Sequence, residues 1–115
     1  MIDTQHLNSL TEVLGTSMVN DIRLAFEADS AEKMPLLQQA WTERNHAALR
    51  EASHSLKSAS LNMGLSDMAT QCQLIESAAA QQEEQGIQAI IDRLPSLLTA
   101  SLAELEAYFL NAQHP

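Results

Sequence analysis

Apolar side chains recur at helical spacing along almost the whole chain. Toward the C-terminus they fall at Ile87, Ile90, Ile91, Leu94, Leu97, Leu98, Leu102, Leu105 and Phe109, the stripe of a helix that buries one face against others. Met68, Cys72, Ile75 and Ala79 form a second stripe. Leu49, Ala52, Leu56, Ala59 and Met63 form a third. Gly15, Gly64 and Gly86 each fall where such a pattern stops, as glycines past helix ends do, because they accept the left-handed conformation at low cost. The intervals predict helices near 4–14, 17–44, 46–63, 66–84 and 87–111, with Asn45 as the cap that divides the second from the third. Gln81-Gln82-Glu83-Glu84-Gln85 reads as a polar turn. Pro35 and Pro95 lie inside helical patterns, where each is expected to remove a hydrogen bond and either kink the helix or start a new segment; Asp29-Ser30 stand ready to cap one. Substantial amphipathic helices joined by short turns predict an all-α fold, an antiparallel up-down four-helix bundle with an additional short N-terminal helix. Residues 1–115 read as a single domain of that kind, long enough for one core.

Composition narrows the function. Apolar residues make up 45% and aromatics only 3%, so the core is aliphatic and helix is favoured throughout. Fifteen acids against six bases give a formal charge of −9, which repels a polyanion and argues against nucleic-acid binding. No 18-residue apolar run exists, and Met1-Ile2-Asp3-Thr4 lacks a basic-then-apolar leader, so no membrane insertion and a cytoplasmic location are expected. Cys72 is the sole cysteine; it lies on the second stripe and reads as a buried, inert thiol. His6, His46 and His114 share no i, i+4 pairing, and the Glu-x-x-His motifs of metal-holding bundles are missing, so neither a metal nor a cofactor is expected. Trp41 reads as a core or helix-end packing residue, and Met18, Met34, Met63 and Met68 as core fillers.

One histidine stands apart. At ~100° per residue, Leu49, Ala52, Leu56, Ala59, Ser60 and Met63 all fall within ~60° of the pole opposite His54. His54 is therefore placed on the solvent side of the third helix, with Arg50, Lys57, Ser58 and Leu61 within ~60° of it. A lone surface histidine is ordinarily without a role; here Lys57 at i+3 is in reach of the ring, Ser58 leaves it uncrowded, and Leu61 adds an exposed apolar side chain. Glu76 reads equally as a solvated or helix-pairing carboxylate and as a group orienting His54. A Gly-rich phosphate loop, a kinase nucleotide motif and a magnesium-binding acid cluster are all missing, so no autonomous kinase activity is expected.

The run His54-Ser55-Leu56-Lys57-Ser58-Ala59-Ser60, with Gly64 ten residues after the histidine and Ile75-Glu76 closing the next helix, resembles the signature of the histidine-containing phosphotransfer (HPt) domain family. Ser58 departs from it, because the family usually has glycine after the lysine. The resemblance is close over the third and fourth helices and architectural elsewhere. It implies a phosphocarrier of two-component phosphorelays, in which His54 attacks through Nε2 and Lys57 offsets the charge of the transferring group. It also implies receiver domains as partners, each bringing its own Mg²⁺ and reactive aspartate. Arg50, Ser58, Leu61, Gly64 and Leu65 are then assigned to docking, with Gly64 also permitting the turn between helices, and the family precedent implies a monomer. Two other readings are a non-catalytic helical docking module that binds a receiver or other helical partner without phosphotransfer, and a piece of a larger hybrid sensor kinase.

Overall fold

The computed structural model describes residues 2–113. Among them are five helices: α1 (Thr4–Leu14), α2 (Thr16–Thr42), α3 (His46–Asn62), α4 (Ser66–Ala80) and α5 (Ile87–Gln113). Helices α2, α3, α4 and α5 pack as a ring, each against its neighbours in sequence and α5 back against α2, while α1 lies against α2. The result is the four-helix bundle with an extra N-terminal helix, about 47 Å long and 22 Å wide. All three predicted stripes point inward. Leu49, Leu56 and Met63 of the third helical segment meet Met68, Cys72 and Ile75 in one core with Ile91, Leu94, Leu105 and Phe109 of α5. Trp41 is buried and donates through its indole N–H to Gln88 Oε1 at 2.7 Å.

Several boundaries differ from expectation for identifiable reasons. α4 stops at Ala80, four residues early, because Gln82 takes a left-handed φ of +56° inside the predicted polar turn. α2 ends at Thr42, and Arg44 is left-handed at φ +53° before Asn45 caps α3 by accepting from Ala48 N–H at 3.1 Å. Neither proline begins a new segment: α2 runs through Pro35 and α5 through Pro95. At Pro35 the carbonyl that loses its partner belongs to Ala31, and both residues are exposed, so water replaces the missing donor. Met18 is not a core filler but 53% exposed. His114 lies outside the described residues.

The turn that matters most joins α3 to α4. Gly64 sits at φ +73°, and a Cβ built there would stand 3.0 Å from the Asp3 carbonyl oxygen. That closeness comes from the N-terminal segment, which is fastened across the turn. Asp3 N–H donates to Gly64 O at 2.7 Å, Ile2 and Leu65 form an isolated antiparallel bridge, and His6 Nε2 donates to Asn62 O at 2.9 Å, an otherwise free carbonyl at the end of α3. Gly64→Ala is expected to destabilise the protein by about 1–2 kcal/mol, since it combines a left-handed non-glycine with a backbone clash. A denaturant titration reads this directly, and an unchanged midpoint would show that the turn relaxes freely.

Candidate functional site

The α3–α4 turn sets the register of an antiparallel hairpin, and the register assembles the site. His54 and Glu76 are 22 residues apart and Lys57 and Gln73 are 16 apart, so both pairs are centred on Leu65 and meet across the hairpin. Small buried residues on α3, Ser53 and Ser60, leave room for α4 to approach. Ser53 satisfies its hydroxyl within the helix by donating to Leu49 O at 2.7 Å.

His54 is 60% exposed, on the solvent side where the helical wheel puts it. Its Nδ1–H donates to Glu76 Oε2 at 3.0 Å. The other Glu76 oxygen, Oε1, pairs with Lys57 Nζ at 2.7 Å, and that ammonium also donates to Gln73 Oε1 at 2.8 Å. Gln73 in turn donates through Nε2 to Ser77 Oγ at 2.8 Å. Glu76 is thus the hub, its side chain only 16% exposed. Its carboxyl is held below the usual carboxylate range, first by the hydrogen bond from Lys57, against the opposing push of burial, and then by the donation from His54. An ionised Glu76 can only accept, so the proton of a neutral His54 is kept on Nδ1 and the lone pair stands on Nε2, at the exposed edge of the ring.

A carboxyl depressed in the folded state stabilises the protein above its ordinary range, and that contribution is lost as pH falls through the lowered value. Stability is therefore expected to fall on acidification below the ordinary glutamate range, and Glu76→Gln should remove part of that slope. An identical pH–stability profile in the variant would contradict the pairing.

The structure brings His54, Lys57 and Glu76 together, with Glu76 in contact with both the ring and the ammonium. Gln73 and Ser77 were not singled out from the sequence, although Gln73 stands one turn before Glu76 on the same face of α4 and so had a signal. Arg50, Ser58 and Leu61 are exposed, on the side of α3 where the helical wheel places them. Two members of the assigned docking surface are not on the surface at all. Leu65 is 0% exposed, because the left-handed turn at Gly64 and the bridge to Ile2 direct it into the core, and Gly64 is itself covered by Asp3. The apolar neighbour of Leu61 is instead Leu74 on α4, which lines the same shallow depression with Lys57, Ala69 and Gln73; Leu61 and Leu74 are 54% and 48% exposed. On the far side of the ring a second depression of about 310 Å³ is lined by Ala47, Arg50, Glu51, His54 and Glu76.

The remaining candidates are structural. Burial pushes the Cys72 thiol up to about 12, with the charge of Glu76 adding to the effect, so it is no nucleophile at neutral pH. His46, the first residue of α3, pairs with Glu84 at 3.2 Å, beside the Arg44–Glu84 pair. Among the described residues no three His, Cys, Asp or Glu side chains group as a metal site, and no helix is long and apolar enough to cross a membrane.

A helical hairpin that presents one exposed, carboxylate-oriented imidazole beside a lysine defines a histidine phosphotransfer module. Comparison with known proteins agrees: the Hpt domain model matches residues 21–108, and the chain belongs to that family. It is also similar to the crystal structure of histidine-containing phosphotransfer protein B (HptB) from Pseudomonas aeruginosa PAO1, with a TM-score of 0.88 and 27% identity over 96% of this chain and 95% of that one. None of the curated proteins compared with it matches. The protein is a histidine phosphotransfer carrier of phosphorelays, an intermediate and not a kinase, and members of its family interact with receiver domains of two-component systems.

Proposed function

We propose that His54 is the phosphoacceptor, exchanging its phosphoryl group with the aspartate of receiver domains. The observation that carries this is the Nδ1–Glu76 hydrogen bond, which leaves the nucleophilic lone pair on the exposed Nε2. In the forward step Nε2 attacks the phosphorus of the receiver's aspartyl phosphate. The N–P bond forms as the P–O bond to aspartate breaks, and the carboxylate leaves with that electron pair. The ring gains positive charge, which the Glu76 carboxylate at Nδ1 offsets. Lys57 adds a cation within the same network, against a phosphoryl group that brings up to about two negative charges. Mg²⁺ is expected on the receiver. The reverse step uses the same groups, so the transfer is reversible.

Residues 1–115 act here as one unit, read as a monomer working in the cytoplasm, where its receivers are. Docking is assigned to the exposed ground around the histidine: Arg50, Ser58, Leu61 and, in place of Leu65, Leu74. Leu61→Asp, which sets a charge in the apolar part of that ground, should weaken receiver binding roughly tenfold or more. Binding at full strength would put the docking face elsewhere. The function itself is tested by mixing the protein with a phosphorylated receiver domain. Loss of label from the receiver with gain on this chain is expected, whereas binding without transfer would leave a docking module.

A further inference from the structure

Lys57 is not a free cation. Its ammonium is within 2.7 Å of Glu76 Oε1 and 2.8 Å of Gln73 Oε1, and its side chain is only 18% exposed. Turning it wholly toward a phosphoryl group would leave the half-buried Glu76 with His54 as its one partner. Arg50 differs in each respect. It stands one helical turn before His54 on the same face, it is exposed, and its side chain makes no ion pair or hydrogen bond among the described residues.

Helical side chains lean toward the N-terminus of their helix, so the His54 ring leans over the turn that Arg50 occupies. Arg50, His54 and Glu76 line one depression of about 310 Å³, and Ala47, two turns before the histidine, gives it a low floor. A depression of that volume is large enough to take a phosphoryl group. A guanidinium keeps its charge at any working pH and presents a planar fork that matches two phosphoryl oxygens. Resting on the assignment of His54 as phosphoacceptor, we propose that Arg50 binds the phosphoryl group on His54 Nε2, so that Lys57 chiefly holds Glu76 and Arg50 meets the transferred charge. Glu51 lines the same depression and opposes Arg50, so the two residues set the local potential with opposite signs.

The test loads the protein with phosphoramidate, a small phosphodonor that requires no docking surface. The second ionisation of the phosphoryl group is then followed by ³¹P chemical shift against pH. Arg50→Gln is expected to raise that ionisation by about half a pH unit, and Glu51→Gln to lower it by about as much, as one charge at a few ångströms in a wet site would do. Arg50→Lys should retain part of the effect. An ionisation that Arg50→Gln leaves in place, on protein phosphorylated at His54 and unchanged in melting temperature, would overturn the inference while leaving His54 as phosphoacceptor, whether or not Glu51→Gln moves it. Failure of phosphoramidate to label His54 in the unaltered protein would remove both.

Discussion

His54→Gln is expected to abolish phosphate acceptance while changing stability by no more than ~0.5 kcal/mol, the usual range for a surface substitution. The two halves test different links. Loss of acceptance follows from the chemistry, since the glutamine amide offers no nitrogen lone pair to attack phosphorus. Stability is spared because the ring is 60% exposed and its polar partner, Glu76, keeps its bond from Lys57. A glutamine amide can also donate to the same carboxylate. Label incorporation and a thermal melt read the two halves separately. A loss of several kcal/mol would mean that His54 packs in the core, contrary to the helical wheel and the structure alike.

Glu76→Ala should slow transfer by roughly ten- to a hundredfold, the scale of effect that a misplaced reacting group produces, with receiver affinity nearly unchanged. Three things are lost together. The ring is no longer oriented, its proton is free to occupy Nε2 and block the lone pair, and the positive charge arising during transfer has no counter-ion. Lys57→Ala should also slow transfer with binding still measurable, but less, because Glu76 then keeps its contact with His54. Stopped-flow measurement of transfer from a phosphorylated receiver, beside an equilibrium binding titration, separates rate from docking. A Glu76→Ala rate equal to the unaltered protein would show that the hydrogen bond is incidental.

Much of this was legible in the sequence because helical periodicity translates spacing into orientation. The wheel through α3 put His54, Arg50, Ser58 and Leu61 outside and Leu49, Leu56 and Met63 inside, and each stands there in the structure. The glycine punctuation located three of the four turns, each glycine at positive φ, and Asn45 located the fourth. What periodicity does not carry is the meeting of two helices. Periodicity puts Gln73 and Glu76 on one face of α4, but which residues of α3 lie opposite them is set by the register that the α3–α4 turn imposes. Leu65 was misplaced for a related reason: it follows a left-handed glycine, so the wheel does not extend to it, and the strand-like pairing with Ile2 that buries it joins residues 63 apart. Pro35 did not divide α2, because its orphaned carbonyl faces water and the flanking turns are held by Phe26, Met34 and Leu37 in the core.

The most direct measurement is to locate the phosphoryl group. The protein is mixed with a phosphorylated receiver domain, quenched without acid, digested, and sequenced by tandem mass spectrometry. An acid-labile phosphoryl group is expected on His54 alone, lost in His54→Gln and returned to the receiver when unphosphorylated receiver is added in excess. A stable phosphoryl group on another residue, or a label that persists in His54→Gln, would contradict it.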